Sequence, residues 1–348
     1  VLHSFGGGES DGVGPVASLT NVNGVLYGTT QIGGTNGKGT VFQIETSGAE
    51  SVLYSFAGGK DGETPSSSLK NVDGVLYGTT FNGGSNGYGT VFKITTAGAE
   101  SVLHSFGSGS DGVEPSAGLT NFNGMLYGTT EGGGTKGRGA VFQMTPAGAE
   151  SVVYSFKGGA DGEEPATDLT EYSGILFGTT ELGGDANQDG TVFKVTTSGT
   201  ESVLHRFGSG SDGKQPEAGL TNINDAFYGT TIAGGTKGYG TIFKITTSRT
   251  ESILHSFGGG NDGLNPAGGL IDVNGVLYGT TLQGGVEHRT GTIFAITTAG
   301  AKSTLYEFEG GSDGRWPLAN LTDINNSLYG TTALGGANNE GTVFSVSL

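Results

Sequence analysis

Apolar residues in this chain come in short runs broken by glycine, asparagine, aspartate and proline, with no helical spacing over helical length. Near the start the runs are Ala17–Val22, Val25–Thr30, Thr40–Thr46 and Ser51–Phe56. They are rich in β-branched and aromatic residues, which suits strands. Asn23-Gly24 separates the first two runs, as Asp73-Gly74 does one unit later, a strong hairpin signal. The segments around Gly48 and Gly98 turn the third run into the fourth.

This four-run pattern fills the chain in seven units, approximately 1–50, 51–100, 101–150, 151–201, 202–251, 252–302 and 303–348. Its core phrase Leu-Tyr-Gly-Thr-Thr begins at Leu26, Leu76, Leu126, Leu277 and Leu328, with variants at Leu176 and Phe227. Such a period means a repeat architecture in which no unit buries its apolar face alone. Four antiparallel strands repeated seven times predict an all-β fold, a seven-bladed β-propeller of four-stranded antiparallel blades. An open β-solenoid is the alternative. Val1–Phe5 reads as a fourth strand and Gly341–Val346 as a third, so the N-terminal strand is expected to complete the last blade and hide its edge. Small residues after each proline, as in Ser66-Ser67-Ser68 and Ala267-Gly268-Gly269, suit innermost strands crowded around an axis. Tyr27, Phe42 and Leu53, with their equivalents, are expected to fill the spaces between blades.

The run Leu76–Thr95, L-Y-G-T-T-F-N-G-G-S-N-G-Y-G-T-V-F-K-I-T, resembles the GloVer-type tandem repeat of choice-of-anchor bacterial proteins. The resemblance covers essentially the whole chain. It implies a secreted or surface-anchored bacterial protein carrying a C-terminal sorting signal, and it supplies no catalytic residues. No sorting signal is visible here, and Val1 falls inside a repeat, so the chain is expected to be a mature or trimmed product. The double glycine also resembles kelch repeats. The kelch tryptophan and the Trp-Asp pair of WD40 repeats are missing, so those families' partners are not carried over.

Composition narrows the partners. The formal charge is −17 with only 16 Lys+Arg, and no basic stripe is present, which argues against nucleic acid and anionic membranes. No membrane-spanning apolar stretch exists. The absence of cysteine removes disulfides and thiol chemistry. Carbohydrate, another surface polymer or self-association fits better, in an extracellular or cell-surface setting. The expected function is a non-catalytic binding propeller. A structural or fibre subunit and a polysaccharide-degrading enzyme are the alternatives.

Strands alternate in direction, so the loops Gly-Gly-x-Asp-Gly-x-x-Pro and Gly-Gly-x-x-Gly-x-Gly emerge on one face, where binding residues are expected. The first loop carries one aspartate per unit: Asp11, Asp61, Asp111, Asp161, Asp212, Asp262 and Asp313. They read either as Asx turns or as a ring of Ca²⁺ sites, the one cofactor considered. His3, His104, His205 and His255 share a position with Tyr54, Tyr154 and Tyr306 and read as packing. His288 alone stands outside the repeat. Arg315 and Trp316 also depart from it, and a tryptophan beside an arginine suits stacking against a sugar. Glu131 and Glu181 follow Thr-Thr on adjacent units within an acidic sector that includes Asp168, and would be weak candidates for acid/base work.

Overall fold

The computed structural model describes residues 1–9, 11–107, 109–208, 210–285 and 289–348. Seven four-stranded antiparallel sheets succeed one another in chain order as the blades of a propeller. The first comprises Thr20–Val22, Val25–Thr30, Thr40–Glu45 and the outer strand Glu50–Ser55. Blades two to seven begin at Lys70, Thr120, Thr170, Thr221, Ile271 and Thr322. No α-helix occurs among the described residues, and none is long and apolar enough to cross a membrane. The hairpin signals hold: Asn23 and Gly24 have φ of 53° and 89°, the paired left-handed conformation of a type I′ turn.

The ring closes through the N-terminal strand. His3 pairs with Val343 and Ser4 with Thr342, antiparallel, so Val1–Phe5 supplies the seventh blade's outer edge. Leu2 and Phe5 add backbone bonds to Val343 and Gly341 of 2.8 and 3.0 Å. No blade is left with an unpaired outer strand next to an incomplete sheet.

The repeated phrase has a physical reason at each position. Gly28 faces the Phe42 ring: a Cβ there would stand 2.5 Å from Phe42 Cζ, and at the six equivalents it would stand 2.5 to 2.8 Å from the matching ring. The first threonine of Thr-Thr crosses to the next blade, as Thr29 Oγ1 does to the Ser67 carbonyl at 3.0 Å. The second usually pairs within its blade, Thr30 with Thr40 at 2.8 Å. Aromatic rings then lock each seam edge-on, as Phe56 of the first blade does against Phe92 of the second at 5.1 Å. Tyr27, Phe42 and Leu53 pack in interblade clusters as expected.

One predicted run is shorter than its pattern. The ladder of the first inner strand begins at Thr20, not Ala17. Ala17 and Leu19 stand at the axis, where their carbonyls accept Thr331 and Thr322 hydroxyls from the seventh blade at 3.2 and 2.6 Å. Neighbouring blades, rather than a strand partner, satisfy this backbone.

Candidate ligand-binding face

The two long loops of each unit do share a face, and they pair directly in all seven units, by a two-residue ladder in the first, third and fifth and by a single antiparallel bridge in the others. Gly12 opposes Gly33 and Val13 opposes Ile32 in one such ladder. At the inner edge of this face lies a ring of pre-proline residues: Gly14, Thr64, Glu114, Glu164, Gln215, Asn265 and Trp316. All seven have left-handed backbones, with φ from 55° to 66°. Each donates its N–H to the preceding unit and accepts one from the residue after its own Thr-Thr. Trp316 N–H, for example, reaches Thr290 O at 2.9 Å, and Ala333 N–H reaches Trp316 O at 3.0 Å. Seven identical frames therefore present six different residue types, glutamate twice.

Those side chains divide the mouth into two halves. Glu114 and Glu131, Glu164 and Glu181, and Glu217 stand on consecutive units. Their charges act on one another. Burial pushes the Glu131 carboxyl above its ordinary range, and Glu114, Glu181 and Glu164 push it further. Burial and Glu164 raise Glu181 likewise. Glu217 is pushed up to about 7, by burial first and then by Glu181 and Glu131. Across the ring the corresponding positions hold Leu282, Leu318, Ala333 and Val16, with Trp316 38% exposed among them. The Arg315 guanidinium lies 5.3 Å from the Trp316 ring centroid and donates to Asn339 Oδ1 at 3.1 Å. Arg315 and Trp316 thus form one unit, oriented by the neighbouring loop.

Below the mouth runs the axial channel, as two cavities of about 130 and 320 Å³. Ser18, Ser68, Asp168, Gly219 and Asn320 line both. Asp168 therefore leaves the acidic loop sector expected from the sequence and sits inside the ring. It accepts Gly118 N–H at 2.6 Å and Ser68 Oγ–H at 3.2 Å, and burial raises its pKa. Asn320 occupies the same position in the seventh unit and accepts Gly269 N–H at 2.5 Å. Two further acids near Glu181 in sequence are paired with cations: Glu163 with Arg138, and Asp189 with Lys214 at 3.0 Å.

The seven aspartates stay in their own loops. Each accepts the backbone N–H at the start of its loop: Gly6, Ala57, Gly107, Lys157, Gly208, Gly258 and Glu309 serve in turn. The ring seven residues earlier also reaches toward the carboxylate. Tyr54 and Tyr154 donate at 2.8 and 2.7 Å, and His104, His205 and His255 approach at 3.2, 3.1 and 2.9 Å. Each ring also packs edge-on against the phenylalanine two residues on, as His104 does on Phe106 at 4.8 Å. The packing expectation for the histidines is therefore incomplete: both ring types carry a polar tip that meets the aspartate. His288 lies outside the described residues.

Two positions escaped the sequence reading. Glu217 is the one acid among the residues that follow the prolines. The glutamate opening each outer strand is replaced by lysine only at Lys302.

The sequence pattern of the Gloeobacter/Verrucomicrobia repeat matches residues 1–188 and 173–348. No curated protein sequence matches the chain. Among solved structures, a lectin from Burkholderia pseudomallei is similar over 96% of both chains, at TM-score 0.68 and 11% identity. The computationally designed Ika8 protein is similar over 99% of both, at 0.53 and 14%. A puromycin-hydrolyzing peptidase from Mycobacterium tuberculosis is similar over 95% of this chain and 50% of its own, at 0.59 and 10%. At these identities the likeness is one of fold.

Proposed function

The chain belongs to the Gloeobacter/Verrucomicrobia repeat family, and from that premise we propose that it is a binding protein whose loop face takes a neutral carbohydrate or similar polyhydroxylated polymer. The two-sided mouth carries this reading. A sugar ring has an apolar C–H face, which Trp316 can stack, and hydroxyl edges, which donate to carboxylates. Five clustered acids repel polyanions and leave neutral polymers as the fitting class. The lectin of the same architecture is a precedent on this fold. An extracellular or surface location belongs to the proposal. A glycan array followed by calorimetry tests it. Binding without turnover, weakened at least tenfold by Trp316→Ala, is expected. Absence of any bound glycan, or binding indifferent to both Trp316→Ala and Glu131→Gln, would sink it.

A second reading has one observation in its favour. Glu217, pushed up to about 7 by burial and by Glu181 and Glu131, stands among carboxyls on adjacent units, and a pair of carboxyls is what glycoside hydrolysis uses. Release of reducing ends, abolished by Glu217→Gln, would favour it. Concentration-dependent filaments without ligand would instead favour a structural subunit.

A further inference from the structure

The glutamate that opens each outer strand reaches back across the seam to the ring–aspartate pair of the preceding unit. Three seams, among the described residues, thereby assemble a histidine, an aspartate and a glutamate: His3, Asp11 and Glu50; His104, Asp111 and Glu150; His205, Asp212 and Glu251. In each, one donor atom per residue lies within 4.8 Å of the other two. The closest approaches are 3.5 Å for His3–Asp11, 3.9 Å for His3–Glu50, 3.2 Å for His104–Asp111 and 3.1 Å for His205–Asp212. Donors around a tetrahedral ion at ~2.1 Å stand roughly 3.4 Å apart, so only small rotamer shifts separate these clusters from ligation.

Two further observations point to a cation. The Glu50 side chain is only 8% exposed, yet its Oε1 has no hydrogen-bond partner. The Oε1 atoms of Glu150 and Glu251 are buried and unpartnered too, as are those of Glu100 and Glu201 at two tyrosine seams, so it is the histidine that completes a ligand set in three of the five. A buried carboxylate oxygen without a donor is costly and wants positive charge. The sixth seam provides one covalently. There the histidine and aspartate recur as His255 and Asp262, but the glutamate is replaced by Lys302. Its ammonium, on a side chain 4% exposed, lies 3.0 Å from Asp262 Oδ1. In that seam the pocket holds a cation that the chain itself supplies.

We propose that the three His–Asp–Glu seams bind a divalent first-row metal ion of the Zn²⁺ class, one per seam, between adjacent blades. One imidazole and two carboxylates make a borderline donor set that suits Zn²⁺ or Mn²⁺ better than all-oxygen Ca²⁺. The two carboxylates neutralise the ion, which in turn satisfies the orphaned oxygen and ties two blades together. Lys302 fills the fourth histidine seam, which therefore takes no metal.

The full chain, stripped with EDTA and dialysed, would be titrated with Zn²⁺ alone, with stoichiometry read by native mass spectrometry and calorimetry. Three ions per chain are expected, with a rise in melting temperature that EDTA reverses. Glu150→Lys, which copies the sixth seam, should leave two. Lys302→Glu should raise the count to four. Glu150→Gln, nearly isosteric, serves if the lysine variant fails to fold, and should also leave two. Failure to retain Zn²⁺, a count unchanged by these substitutions, or displacement by equimolar Ca²⁺ would each overturn the proposal.

Discussion

Phe5 stands edge-on against Phe42, ring centroids 5.2 Å apart at 73°, so the fifth residue of the chain packs into the first blade while its own strand belongs to the seventh. Both side chains are fully buried, in one cluster with Leu19, Leu26 and Tyr329. Phe5→Ala should cost about 3–5 kcal/mol, the range for a buried aromatic, and should expose the seam between the first and seventh blades first. Urea titration with hydrogen exchange at Val343 and Thr342 checks this. A loss below 1 kcal/mol would mean that the closing strand is not held by its ring.

Gly128 meets Phe142 with no room for a methyl group, since a Cβ would lie 2.6 Å from Cζ. Its backbone is not left-handed, so the constraint is one of space. Gly128→Ala should destabilise by about 1–3 kcal/mol through displacement of the ring. Gly128→Ala combined with Phe142→Leu should recover part of that loss, which a backbone effect could not explain. Denaturant midpoints of the two variants decide it.

Trp316 holds a φ of 62°, a conformation costly for a bulky side chain and free for glycine, which the first unit has at Gly14. Trp316→Gly should therefore leave the protein as stable or more stable by about 1 kcal/mol, while abolishing ligand binding. Calorimetric melting set beside glycan affinity tests this pairing. A marked loss of stability would make the tryptophan a packing residue.

The mouth and seam carboxylates set a pH dependence. Glu100, Glu201 and Glu217 are each raised to about 7, chiefly by burial. Between their unfolded value, about 4.3, and about 7, the folded chain holds protons that the unfolded chain has lost. That stability is complete below the unfolded value and disappears as pH rises through 7. At the acid end Asp262 acts oppositely. Burial pushes its pKa up, but the Lys302 ammonium, the Gly258 N–H and His255 together outweigh this and leave it below the usual range, so its contribution is lost as pH falls through that value. Melting temperature should peak near pH 5 and decline by several degrees toward pH 8. Glu217→Gln should flatten the decline, and a curve rising from pH 5 to pH 8 would contradict it.

Asp168 and Asn320 occupy equivalent positions in the channel and accept the same kind of N–H. Asp168→Asn should keep the Gly118 bond and remove the desolvation that raises the carboxyl's pKa. The variant should melt higher than the parent at pH 8, and the gap should narrow as pH falls and the carboxyl, its pKa raised by burial, takes up its proton. A lower melting temperature at pH 8 would show that the charge itself is needed there.

The blades were legible because seven copies of each position separate what the fold requires from what one unit happens to carry. Trp316 and Arg315 were legible for the opposite reason, as departures from that pattern, and they do stand together on the loop face. The seam chemistry was not. Histidine and tyrosine alternate at one position, which looks like indifference to polarity, whereas both present a polar ring tip to an aspartate seven residues on. Glu50 and Asp11 are far apart along the chain, and only the twist of neighbouring blades brings them to one histidine. Glu217 and Asp168 needed the axis itself, since a residue's depth in a channel is set by the whole ring and not by its own strand.

The pairing of His3 with Val343 makes the meeting of the termini an outer-strand pairing within one blade, of the kind the other six blades make, though shorter. Nothing in the sheet order then privileges the existing break. A circular permutant that joins Leu348 to Val1 through a short linker and opens the hairpin at Gly98 should still assemble seven blades, with its new ends meeting as two strands of one sheet. Such rearranged genes would place fused cargo at any chosen spoke of the wheel while the ligand mouth faces the same way.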